Sequence, residues 1–274
     1  MAVFTMVVTA VAIILLVKFG LLKGIDQICG AMQWGPKVRG QVTGYATSVP
    51  ELVCLVAAGL SGVWEAGLWN IASSNIINTG LILIAVCSYR QFRELLNRRF
   101  LDEIGFAGLA VAVPLCLMRA DLDTQWYLVP VLLGFFATYQ IVDRVVNPAS
   151  AEVGPATTTA GSLRMGVSIG VIALAAIAVV GILLGQATAN VVDQLGVHPA
   201  MAGWILGTVT SLPEVVSFFT VYGTAAKEGR LRGLQDTQEA LDNLTGSNMA
   251  NVGVVYPVGL LAFLVGSFLV TSSG

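Results

Sequence analysis

The chain has 274 residues, 56% of them hydrophobic and 11% charged, with a mean hydropathy of +0.81. A water-soluble domain usually carries about 25% charged residues, so a soluble globular fold is excluded. The net charge of −2 gives no basic field for nucleic acid, and the single histidine excludes a histidine-built metal cluster.

Eight apolar stretches are expected to cross a bilayer as helices, each near the roughly 20 residues a span needs. In chain order they cover about 3–22, 38–60, 66–88, 104–118, 126–142, 164–186, 198–223 and 242–271. The first is longer than a signal-peptide core and lacks a basic leader, so it reads as a retained span. The last is long, and the stretch after Pro257 is a candidate for separate folding. Cys54, Cys87 and Cys116 sit in or beside apolar stretches and Cys29 stands apart, with no CxxC, so the cysteines read as small hydrophobes. His198 reads as a helix-end residue before Pro199.

The cations orient the chain. Of fourteen Lys and Arg residues, thirteen fall on one side when the connections are assigned to alternate faces. Lys18, Lys23, Lys37 and Arg39 flank the first connection on that side. Arg90, Arg93, Arg98 and Arg99 flank the next, then Arg144 and Arg164, then Lys227, Arg230 and Arg232. Arg119 stands alone opposite. Positive charge stays cytoplasmic, so both termini are expected outside, in a prokaryotic inner membrane. The loop from Ala225 to Asp242 reads as a solvated cytoplasmic connection with room for a short amphipathic helix.

A repeat is written into the second and seventh spans. Gly44-Tyr-Ala-Thr47-Ser48-Val-Pro50-Glu51 and Gly207-Thr-Val-Thr210-Ser211-Leu-Pro213-Glu214 both read G-x-x-T-S-x-P-E. Each is followed, one span later, by S-N-x-x-N: Ser74, Asn75 and Asn78, then Ser247, Asn248 and Asn251. Five crossings separate the copies, so they run in opposite directions, the construction that puts transporter sites at the repeat interface near the midplane. The halves are read as 1–145, holding the first repeat at about 38–88, and 146–274, holding the inverted second at about 198–262.

A carboxylate at mid-bilayer costs about 2.5–3.5 kcal/mol on insertion scales. Glu51 and Glu214 are the two acids expected deep inside spans; the others are expected at span ends or in connections. Thr47 and Ser48 precede Glu51 by four and three residues and so share its helix face; Thr210, Ser211 and Glu214 repeat this. Ser74 with Asn78, and Ser247 with Asn251, are four apart. The faces offer hard oxygen donors, suited to Na⁺ and Ca²⁺ rather than zinc or copper. A competing reading has each hydroxyl bonding back to its own helix. Pro50 and Pro213 lack the N–H that would bond the carbonyls of Ala46 and Val209, and a bound cation is one partner that freed carbonyls can take.

These paired motifs resemble the α-repeats of sodium/calcium exchangers in the calcium/cation antiporter superfamily, specifically around Gly44–Asn78 and Gly207–Asn251. The resemblance implies an all-α polytopic membrane protein with an inverted-repeat cation exchanger fold, N-out and C-out. It implies Ca²⁺ exchanged for Na⁺ by alternating access, with spans one and six as the moving pair. No cofactor and no enzymatic activity are implied; the ions are cargo. Glu51 and Glu214 would be the shared carboxylate ligands, with oxygens from Thr47, Ser48, Thr210 and Ser211. Ser74 and Ser247 would line flanking sodium sites, with Asn78 and Asn251 beside the centre and Asn75 and Asn248 supporting. Family members often carry an acid where Asn251 stands, which leaves the three-sodium stoichiometry open here. They also usually have ten spans against eight here; the last two are dispensable, supplied by a partner subunit or a second copy, or absent from an incomplete chain. The rival readings are a Ca²⁺/H⁺ or other cation/H⁺ antiporter on the same scaffold, a non-transporting scaffold or sensor, and an intramembrane hydrolase, for which no nucleophile motif speaks.

Overall fold

The structure, a computed structural model, describes residues 2–147, 163–229, 231 and 234–272. Among these, eight helices are long and apolar enough to span a membrane: α1 Phe4–Met32, α2 Pro36–Leu60, α3 Trp64–Ser88, α4 Arg98–Arg119, α5 Leu128–Val146, α6 Leu163–Ala187, α7 Pro199–Lys227 and α8 Gln235–Phe268. The described residues contain no strand. α2, α3 and α8 are the most buried, and α1, α4, α5 and α6 present much of their apolar surface outward, as lipid-facing helices do. Arg230 and Arg232 lie outside the described residues.

Two helices break at their centres, for one reason each time. The first half of α2 ends at Thr47 and the second begins at Val49, with Pro50 in its first turn. The first half of α7 ends at Thr210 and the second begins at Leu212, with Pro213 likewise placed. The hinge residues match almost to the degree: Ser48 at φ −80°, ψ −2° and Ser211 at φ −81°, ψ −3°. The Ser211 N–H donates to the Gly207 carbonyl at 3.1 Å, which closes the first half of α7 at the hinge.

The halves interlock. The first half of α2 packs along the start of α8, and the first half of α7 packs along α3. Glycine makes both contacts possible. A Cβ on Gly44 would stand 2.7 Å from the Ser247 nitrogen, and one on Gly207 would stand 2.9 Å from the Asn70 carbonyl oxygen. Gly40 and Gly203, four residues earlier, make the same kind of approach to Asp242 and Asn70. The repeated unit is thus longer than its conspicuous core: G-x-x-x-G-x-x-T-S-x-P-E.

Three expectations change. α1 continues ten residues past Leu22, through a π-turn at Val17–Leu21, because Ile25 and Cys29 extend its buried face. The Ala225–Asp242 connection is mostly helix: α7 runs to Lys227 and α8 starts at Gln235. Asp236, Thr237, Gln238 and Asp242 are buried rather than solvated. The chain after Pro257 does not fold apart; α8 carries straight through a π-turn at Asn251–Val255. That turn absorbs the N–H missing at Pro257 and places a wide turn at a residue of the candidate site, a common use of π-turns.

Candidate cation site

The ten residues singled out above converge where α2, α3, α7 and α8 cross. Nine of them are 0% exposed, and Ser48 is 2% exposed. The pattern of bonds is the same in each half, with the repeats exchanged. Ser74 Oγ donates to Glu51 Oε1 at 2.9 Å and meets Ser211 Oγ at 3.0 Å. Ser247 Oγ donates to Glu214 Oε1 at 3.0 Å and meets Ser48 Oγ at 3.1 Å. Each glutamate is therefore tied, through one serine, to the hinge serine of the opposite repeat. Thr47 lies beside Glu214 and Thr210 beside Glu51.

The asparagines form a second symmetric layer. Asn78 Nδ2 donates to Asn248 Oδ1 at 3.3 Å, and Asn251 Nδ2 donates to Asn75 Oδ1 at 2.9 Å. Asn75 also donates to the Ala110 carbonyl on α4 at 2.9 Å, and Asn248 to the Asn75 carbonyl at 3.2 Å. Asn75 and Asn248 thus clamp α3 to α8, while the amide groups of Asn78 and Asn251 are fixed by their nitrogens.

Among these ten residues, four buried oxygens remain without a hydrogen-bond partner: Glu51 Oε2, Glu214 Oε2, Asn78 Oδ1 and Asn251 Oδ1. Native interiors leave few such atoms, because each costs about 1–3 kcal/mol or more when charged. These four come in two repeat-related pairs. All four are acceptors, so the group that would satisfy them is a donor or a cation.

The hydroxyls are divided between two roles. Thr47 Oγ1 and Ser48 Oγ both donate to the Gly44 carbonyl, at 3.1 and 3.0 Å, the back-bonding weighed above. Ser48 also reaches the Ser247 carbonyl at 3.2 Å. Thr210 Oγ1 donates to Asn70 Oδ1 at 3.1 Å. Asn70 was not singled out in the sequence, nor was its counterpart Asn243, which donates to Ser217 Oγ at 2.7 Å. Their signal was present: each stands four residues before the serine of S-N-x-x-N, making the true pattern N-x-x-x-S-N-x-x-N.

A cleft of about 230 Å³ opens at the cation-rich end, lined by Lys18, Asp26, Arg39, Thr43, Ser217 and Glu239 among others. Ser217 lies one helical turn from Glu214. α1 and α6 pack closely beside it: a Cβ on Gly24 would meet the Gly166 carbonyl at 3.0 Å and the Gly170 nitrogen at 2.9 Å.

Two antiparallel copies of one broken-helix motif, joined around a buried oxygen-lined centre, define an inverted-repeat membrane protein of the cation-exchanger class. The sodium/calcium exchanger protein family matches residues 2–142 and 165–273, and the chain belongs to that family. Solved structures of the sodium-calcium exchanger NCX_Mj share the fold. One soaked with 10 mM Na⁺ and zero Ca²⁺ superposes with a TM-score of 0.56 at 21% identity, covering 100% of this chain and 89% of that one. Another, with 100 mM Na⁺ and 10 mM Sr²⁺, gives 0.55 at 21% identity and the same coverage. No curated protein matches the chain. The protein is an integral membrane cation exchanger.

Proposed function

We propose that the chain exchanges Ca²⁺ for Na⁺ by alternating access, with Glu51 and Glu214 as the shared ligands. The observation that carries this reading is the set of four unpartnered oxygens, two carboxylate and two amide, contributed equally by the two repeats. Calcium takes six to eight oxygen ligands in flexible geometry. The threonine, serine and backbone oxygens around the four supply the remainder. Ser74 and Ser247, each bridging a glutamate to the opposite hinge serine, sit where flanking sodium ions would bind.

Charge decides the coupling. Among the described residues, the central layer holds two ionisable groups, Glu51 and Glu214. One Ca²⁺ neutralises them, and so do two monovalent cations. An empty site carries a buried charge of −2, which a closed barrier disfavours strongly, so the carrier switches sides loaded. With an amide at Asn251, exchange of one Ca²⁺ for two monovalent ions is electroneutral.

The same count favours protons as much as sodium, which keeps cation/proton exchange as the second reading. The test is calcium uptake into proteoliposomes with a sodium gradient and a pH gradient imposed separately. The sodium gradient alone should drive uptake, and a clamped membrane potential should leave its rate unchanged. Uptake driven by the pH gradient alone would replace sodium with protons. Calcium binding without flux under either gradient would make the protein a sensor or scaffold.

A further inference from the structure

A second buried acidic group lies outside the central layer. Glu103 on α4, Asp143 on α5 and Asp242 on α8 are 1%, 2% and 0% exposed, with one carboxylate oxygen of each within 4.8 Å of the others. All three stand at the cation-rich ends of their helices. From the sequence all three fall at span ends or in connections.

The three acids are not equivalent. Lys37 Nζ lies 2.6 Å from Asp143 Oδ1, and Gln41 Nε2 donates to Asp143 Oδ2 at 2.7 Å. Lys37 also donates to the carbonyls of Asp143 and Asn147. Asp143 is thereby neutralised and both its oxygens are used. Glu103 and Asp242 have no cation of their own among the described residues. Gln238 Nε2 is inserted between them, donating at 2.8 Å to Glu103 Oε1 and at 2.8 Å to Asp242 Oδ2. Asn147 Nδ2 adds a bond to Glu103 Oε1 at 3.3 Å while holding both oxygens of Asp102.

Three oxygens of this cluster are buried without a partner: Glu103 Oε2, Asp242 Oδ1 and Gln238 Oε1. Gln238 is itself 5% exposed, and its carbonyl oxygen is the orphan while its nitrogen bridges the acids. Three carboxylates and one ammonium leave a residual charge of −2. A hard divalent cation satisfies both the charge and the oxygens at once.

We infer that Glu103, Asp242 and Gln238 form a second calcium site at the cytoplasmic end of α8, with Lys37 and Asp143 as its neutral flank. Only the choice of ion rests on the exchange reading above. Asp242 precedes Ser247 by five residues on one helix, so the second site lies about 7 Å along the axis from the central one. The first half of α2 runs beside both, with Lys37 and Gln41 at one end and Thr47 and Ser48 at the other. An ion at Asp242 and Glu103 would brace α4 against α8 at the cation-rich end of both helices.

The test is equilibrium binding of radioactive calcium to the purified full chain, with monodispersity on size exclusion checked for each variant. Wild type should bind about two ions per chain. The double variant Glu51→Gln/Glu214→Gln should keep one. Asp242→Asn should also keep one, and the triple variant none. Gln238→Ala, which leaves every charge in place, should weaken the site at Asp242 by tenfold or more. No binding in Glu51→Gln/Glu214→Gln, or full binding in Asp242→Asn, would overturn the second site. If Glu51→Gln/Glu214→Gln bound like wild type while Asp242→Asn lost an ion, the second site would stand and the central reading would fall.

Discussion

At the residue scale the central layer is a set of mirrored hydrogen bonds, and mirrored bonds predict matched losses. Ser74→Ala removes the donor to Glu51 and the link to Ser211; Ser247→Ala removes the donor to Glu214 and the link to Ser48. A hydrogen bond to a charged group contributes about 1.5–3 kcal/mol, or roughly tenfold to a hundredfold in affinity. Calcium titration of the two variants by calorimetry should show losses in that range, alike within a few fold. A large loss in one with none in the other would mean that the halves do not share the ion. Glu51, Glu214 and the hydroxyls beside them were legible in the sequence because charged and polar residues stand out in an apolar span and recur in register. Asn70 and Asn243 recur in register as well, four residues before Ser74 and Ser247, but their partners, Thr210 and Ser217, lie on another helix, so the role of the recurrence shows only in the fold.

At the scale of the element, hydropathy located all eight spans but misjudged where α8 begins. Gln235–Asn243 is polar enough to pass for a loop. It is buried because its polar groups bond internally: Tyr222 donates to Thr237 at 3.4 Å, and Gln238 and Asn243 bond as described above. It is also buried because Gly40 and Gly44 let α2 lie against its backbone. Neither cause has a hydropathy signature. The glycine contact carries its own prediction. Gly44→Ala would push a methyl into the backbone of α8, and Gly207→Ala would do the same against α3. Overpacking of this kind costs about 1–3 kcal/mol. Both variants should unfold several degrees earlier in a thermal-shift measurement in detergent. Gly80→Ala, on a part of α3 with open space around its Cα, should not. An unchanged melting temperature in both Gly44→Ala and Gly207→Ala would mean that the helices are further apart than described.

At the scale of the whole molecule, the fold is one motif used twice in opposite directions, with the pieces exchanged between halves. The broken helix of each repeat packs on the intact helix of the other, so neither half can close its own site. That explains why the central acids can be tolerated: each takes a hydrogen bond from its own repeat's serine, which in turn meets the hinge serine of the opposite repeat. Along α8, the cation-rich end carries Asp242 and the middle carries Ser247 and Asn251.

The joint occupancy of one ion by two repeats is tested most directly by calcium flux in proteoliposomes carrying Glu51→Gln or Glu214→Gln singly. Either substitution keeps the shape of the side chain and removes one of two charges. Each alone should reduce flux to the level of protein-free vesicles. Flux at the wild-type rate in either single variant would show that one glutamate suffices, and that the two are not ligands of a common ion.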